Sequence, residues 1–85
     1  MAANQGYAIA QFSVGAMYDT GEGVPQDDYT AAQWYSMAAN QGDATAQYNL
    51  GLLYQYGRGI EASISVAVEW YTRAADQGLA QAQHT

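Results

Sequence analysis

The chain has 85 residues, one proline and no cysteine; that length supports one small domain with a thin core, and no disulfide or thiolate metal site staples it. Two arginines, no lysine and eight acidic residues give a formal charge of −6, which argues against nucleic acid, whose phosphates must be met by several cations, and against an anionic membrane surface. No run approaches the roughly 18 apolar residues of a bilayer span, and the opening MAANQGYAIAQ lacks the charged start and apolar run of a secretory signal.

In chain order, residues 1–6 read as the tail of a preceding helical hairpin, with Gly6 as its stop. A first helix is expected near 8–20, because Gln11, Val14, Gly15 and Tyr18 fall at i, i+3, i+4 and i+7 on one face. Gly21 stands where a left-handed C-terminal cap belongs, and Gly23 helps turn the chain. Asp27 or Asp28 then caps a second helix near 28–41, which carries Ala31, Trp34, Tyr35, Ala38 and Ala39 on one stripe and ends by Gly42. Asp43 caps a third helix near 44–56, with Gln47, Leu50, Gly51 and Tyr54 in register. Gly57 and Gly59 repeat the stop. Ser63 or Ser65 caps a fourth helix near 65–77, with Ala67, Trp70, Tyr71, Ala74 and Ala75, closed by Gly78. Residues 79–85 begin another hairpin, and no strand is expected.

The elements repeat. Ala2–Met37 laid over Ala38–Arg73 gives 15 identities in 36 positions, and Ala38–Asn49 over Ala74–Thr85 gives 7 in 12. A period of this length signals a solenoid of stacked supersecondary units. The chain is therefore one repeat domain over 1–85: a tail (1–6), a first repeat (7–42), a second (43–78) and the start of a third (79–85). Gly15, Gly51 and the alanines let helix backbones approach closely, while Trp34, Tyr35, Trp70 and Tyr71 fill the space between hairpins. Both tryptophans are expected to be largely buried. Gln11 and Gln47 on a packing face call for a turn carbonyl or a cap as amide partner.

The string AxAQxxxGxxYxxGxGVxQD followed by AxxWYxxAAxQG resembles the Sel-one-like repeat family of the tetratricopeptide-repeat superfamily, over essentially the whole chain. The matching residues are Ala10, Gln11, Gly15, Tyr18, Gly21, Gly23, Val24, Gln26, Asp27, Ala31, Trp34, Tyr35, Ala38, Ala39 and Gly42. The second copy departs where Glu61-Ala62-Ser63 replaces Pro25-Gln26-Asp27, and where Val68 replaces Ala32. The resemblance implies an all-α solenoid of antiparallel hairpins in a right-handed superhelix, the first helix of each pair lining a concave surface. It also implies a non-catalytic adaptor that holds protein partners together.

On the first helix of each hairpin, the positions expected to face away from the second are Ile9, Phe12, Ala16, Asp19 and Thr20, and Thr45, Tyr48, Leu52, Gln55 and Tyr56. Phe12, Tyr48 and His84 share one column. From these, Phe12, Ala16, Asp19, Tyr48, Leu52, Gln55 and Tyr56 are the candidate partner-binding residues, with Asp19 suited to a basic group. The same aromatic stripe is more commonly explained by packing between neighbouring helices. Asp19, Glu22, Asp27 and Asp28 crowd the first turn without the ligand spacing of a calcium loop, which favours a solvated, capped turn. GEGV and GRGI follow helices rather than strands, out of context for a phosphate loop. One histidine and no cysteine make no zinc site, and no serine has a histidine–carboxylate constellation. No catalytic residue, metal or cofactor is expected. The leading expectation is a protein or peptide partner. The alternatives are stacking through open repeat ends at 2–3 and 80–82, with the isolated chain associating or loosely folded, or a fragment of a longer array.

Overall fold

A computed structural model describes the backbone of residues 2–78 and the side chains of residues 7–78. Four helices follow one another, α1 (Ala2–Thr20), α2 (Asp28–Asn40), α3 (Ala44–Tyr56) and α4 (Ile64–Asp76), with no strand among the described residues. Expectations for Met1 and 79–85, including the place of His84 and of Ala80 and Ala82, lie outside the described residues, as do the side chains of Ala2 and Ala3.

The helix starts are set by single side chains. Asp27 accepts the Thr30 amide, Asp43 the Ala46 amide and Ser63 the Val66 amide, each satisfying a donor that the first turn otherwise leaves without a partner. Of the paired alternatives, Asp27 and Ser63 are the caps. The stops are equally regular. Gly57 (φ 66°) closes α3 by donating to the Leu53 carbonyl, which also takes the Arg58 amide at 2.9 Å. Gly21 (φ 78°) does the same to Met17 at 2.8 Å, joined by the Glu22 amide at 3.1 Å. Positive φ at these points is inexpensive only for glycine.

One boundary differs from expectation. Helix α1 begins at Ala2 and runs straight through Gly6, where the repeat pattern places a stop. After Gly42 the next residue is Asp43, whose side chain caps a new helix. After Gly6 comes Tyr7, which has no oxygen in reach of the following amides. A glycine inside a helix costs about 1 kcal/mol, so with nothing to restart a helix, continuation wins.

Each helix packs on its sequence neighbour: α1 on α2, α2 on α3, α3 on α4. Equivalent bonds tie each hairpin, Asp27 N–H to the Tyr18 carbonyl and Ser63 N–H to the Tyr54 carbonyl, both 2.9 Å. The molecule is a slab of 33 × 32 × 17 Å, thin enough that burial comes only from helix pairs. One buried cluster runs from α1 to α3: Ala8, then Ala31, Ala32, Tyr35, Ala38 and Ala39, then Ala46, Leu50 and Leu53. Small residues bring the helices close, and the glycines finish the fit. A Cβ on Gly15 would stand 2.8 Å from the Tyr35 ring, and one on Gly51 2.7 Å from that of Tyr71.

That fit corrects the expectation for the tryptophans. Tyr35 and Tyr71 are the buried aromatics, at 1% and 8% exposure, whereas Trp34 and Trp70 are half-buried. Adjacent helical residues point about 100° apart, and the glycine opposite accepts a tyrosine ring. Trp70 lies against the edge of the core with the Arg73 guanidinium 4.7 Å from its ring. Gln47, 5% exposed, meets the expectation of its amide: it donates to the Ala39 carbonyl at 3.1 Å and accepts from Gln77 at 2.9 Å. Gln11 accepts from Gln41, the C-cap of α2.

Candidate functional site

The candidate face is built on α1 and α3 around the two glycines. Because Gly15 and Gly51 admit the Tyr35 and Tyr71 rings, residues three before and four after each glycine meet those tyrosines. The Phe12 ring lies 5.5 Å from Tyr35, and the Tyr48 ring 5.4 Å from Tyr71, both tilted. At the other end of each tyrosine, the Tyr35 hydroxyl donates to Asp19 at 3.0 Å and the Tyr71 hydroxyl to Gln55 at 2.6 Å.

Four candidate residues therefore do not face away from the second helix of their own hairpin. Phe12, Asp19, Tyr48 and Gln55 all touch it. The stripe that meets the second helix is wider than 11, 14, 15 and 18: it takes in Phe12, Gly15 and Asp19, which meet Tyr35, as well as Gln11, which accepts from Gln41. All four remain part-exposed, as do Ala16 and Leu52, while Tyr56 is 66% exposed. The face thus has packed rings at one edge and an open tyrosine at the end of α3. Of its neighbours, Thr20, Thr45 and Ile9 are exposed.

Charge is concentrated at the joint between repeats. The Arg58 guanidinium reaches Asp19 at 2.5 Å and Asp28 at 2.8 Å, with a further Nε contact to Asp28 at 3.4 Å. The hydrogen bonds it donates to these two carboxylates, Asp28 first, raise the Arg58 pKa further. Asp19 is thereby engaged within the molecule by Arg58 and Tyr35, not held open for an external basic group. Sequence reasoning missed Arg58 as a structural residue. Its signal was a charge reversal at one repeat position, Glu22 against Arg58, next to paired acids that only the first repeat carries.

Burial, followed by the neighbouring Asp19 carboxylate, pushes the Tyr35 hydroxyl far above its usual 10.0; burial also raises that of Tyr71. Asp27 is held below the ordinary 3.8 by the Thr30 amide and then the Thr30 hydroxyl. Ser13 donates to the Ile9 carbonyl and Ser63 caps α4, so neither is paired with a base. Among the described residues no group of three or more histidines, cysteines or acids is placed to hold a metal, and no helix is long and apolar enough to cross a membrane.

A family model described as "Sel1 repeat" matches residues 8–43 and 44–79. No curated protein matches the chain. Solved structures do. A Sel1 repeat protein from Oxalobacter formigenes is 47% identical over 91% of this chain, with a TM-score of 0.89. The protein c5321, a protective antigen of uropathogenic Escherichia coli strains displaying an SLR fold, is 44% identical over 96%, with a TM-score of 0.90. Cysteine rich protein B of Helicobacter pylori is 27% identical over 91%, with a TM-score of 0.86. The chain spans 32%, 18% and 58% of these three proteins respectively.

Proposed function

The chain belongs to the Sel1 repeat family, and from that premise we propose that it is a non-catalytic adaptor module binding a peptide or helix of a partner protein on the face shared by α1 and α3. Proteins built from this repeat generally serve as scaffolds for protein interactions and are typically non-catalytic. The observation that carries the finer reading is Tyr56, a large aromatic 66% exposed at the end of α3, beside Leu52 one turn back. Tyrosine is among the residues most enriched as anchors in protein interfaces.

In this reading Tyr56 and Leu52 supply the apolar grip, and Ala16 leaves room for an approaching backbone. Phe12 and Tyr48, held by Tyr35 and Tyr71, offer ring edges whose orientation is already fixed, so little side-chain freedom is lost on binding. Gln55 has its carbonyl oxygen taken by Tyr71 and presents its amide nitrogen to a partner carbonyl. Asp19 acts through the Arg58 clasp. A net charge of −6 favours basic or neutral partners and repels nucleic acid and anionic membranes.

The test is a photo-crosslinking residue at position 56 to identify a bound protein, followed by Tyr56→Ala and Leu52→Ala binding measurements with that protein. Truncating an anchor removes roughly 2 kcal/mol or more, about 30-fold in affinity. Tyr56→Ala is expected to lose at least that much while keeping its helical circular dichroism. Unchanged affinity in both folded variants overturns the assignment of this face.

A further inference from the structure

The 36-residue period separates what the stacking of repeats covers from what it leaves open. On α1, Phe12, Ala16 and Thr20 have the second repeat packed beside them, yet the first two are part-exposed and Thr20 is exposed. Their equivalents on α3, Tyr48, Leu52 and Tyr56, show the same pattern. The face is thus open in a repeat that has a neighbour following it, and its exposure does not depend on where the chain ends. What differs between the repeats is chemistry. Phe12 gives way to Tyr48, Asp19 to Gln55 and Thr20 to Tyr56.

The second repeat gathers phenols on this face. The Tyr48 ring lies 5.4 Å from that of Tyr71, whose hydroxyl donates to Gln55 at 2.6 Å. Burial first, then the neighbouring Tyr48 and Tyr56, raise the Tyr71 pKa, so the three phenols share one patch around Gln55. Their hydroxyl oxygens and the second lone pair of the Gln55 carbonyl are all acceptors. No cation of the chain is left to meet them. Arg58 is held by Asp19 and Asp28, and Arg73 lies over Trp70 on α4. Negative charge is also in excess at this end of the face. Two residues beyond Tyr56, Arg58 stands alone against two carboxylates, and Glu22, its equivalent in the first repeat, is exposed and forms no ion pair among the described residues. Helices α1 and α3 both end here, and their carbonyl poles add partial negative charge.

We infer that the partner gripped here is a basic segment, one arginine of which lies flat on the Tyr56 ring with its N–H groups toward the acceptors around Gln55. This rests on the adaptor reading of the same face and names the class of its partner. A guanidinium suits the patch because it is planar, weakly hydrated, stacks on aromatic faces and carries five donors. The molecule already makes such a contact internally, with the Arg73 guanidinium 4.7 Å from the Trp70 ring centre. A carboxylate in the same place would meet carbonyl poles and unbalanced acids. A purely apolar side chain would cover the acceptors around Gln55 without supplying a donor.

The experiment titrates the chain with synthetic peptides on one amphipathic scaffold, bearing arginine, glutamine or glutamate at the same positions, and reads backbone amide shifts along α3. The arginine peptide is expected to bind about 10-fold more tightly than the glutamine peptide at about 0.05 M salt, and the glutamate peptide more weakly than either. The preference should shrink at about 0.5 M salt, where the excess charge is screened. Tyr56 is 66% exposed, so its variants should fold, which circular dichroism checks. Tyr56→Phe keeps the ring and should keep the preference. Tyr56→Leu keeps apolar area but loses the negative ring face, and should bring the arginine and glutamine peptides within about 3-fold of each other. Equal binding of those two peptides to the parent overturns the inference. So does an arginine peptide that leaves α3 unshifted up to about 1 mM, or a preference that survives Tyr56→Leu intact. None of these outcomes touches the adaptor reading, which falls only if the crosslinked partner binds the folded Tyr56→Ala and Leu52→Ala variants as tightly as the parent.

Discussion

Tyr35 and Tyr71 each do two things at once: the ring fills the space over a glycine, and the hydroxyl ends on an acceptor of the facing helix. The half-buried tryptophan beside each does neither. Emptying a buried aromatic site costs about 3–5 kcal/mol, so Tyr71→Ala should fall in that range and Trp70→Ala at roughly half of it. For a domain whose whole stability is about 4–13 kcal/mol by length, the first change should unfold a measurable fraction. Urea midpoints of the two variants check the order; a Trp70→Ala midpoint below that of Tyr71→Ala contradicts it. The sequence shows both aromatics and both glycines, and their 36-residue spacing. It does not show which of two adjacent rings turns inward, because Trp34-Tyr35 lies on the border of the apolar stripe and either rotation satisfies the periodicity. The same ambiguity displaced Phe12, Asp19, Tyr48 and Gln55 from the outward face where the pattern put them.

Helices, unlike rings, are marked by local chemistry, and so their ends were legible to within a residue or two. Asp27, Asp43 and Ser63 announce starts, and Gly21 and Gly57 announce stops, because each supplies a bond or a backbone angle that few other residues can. The exception, Gly6, lacks the following cap that makes Gly42 a boundary. The caps also carry a pH dependence that differs between repeats. Asp27 in the folded chain titrates below its ordinary 3.8, so it contributes stability above that value and loses it as the pH falls through the folded pKa. Ser63 performs the equivalent task without a charge. Asp27→Ser is therefore expected to keep α2 capped at neutral pH and to flatten the loss of stability below about pH 4. Thermal melts at pH 7 and pH 3 check this: an acid shift as large as the parent's would place the acid sensitivity elsewhere.

At the scale of the whole molecule, two hairpins are joined by an alanine-rich seam and one arginine. Exposed ion pairs each contribute about 0.2–1 kcal/mol, so Arg58→Ala, which removes two, is expected to lose about 1 kcal/mol at low salt. The loss should shrink toward zero at high salt, where screening has already weakened the clasp in the parent. A loss that is the same at both salts would mean that Arg58 acts by packing. The family and the repeat period were plain from the sequence, whereas the clasp, formed by residues 30 and 39 positions apart, appears only when the turn of one repeat is laid on the helices of the other. The seam has a dynamic consequence. Among the described residues, helices α2 and α3 each have a neighbour on both sides, α1 and α4 have one each, and the buried residues of α4 lie outside the cluster that spans the other three. Local opening should thus need least free energy at the outer helices, and amide hydrogens should exchange slowest in α2 and α3 and fastest in α4. Exchange in dilute solution should show that gradient, and whatever comes to cover an outer helix should reveal itself by slowing exchange there and nowhere else.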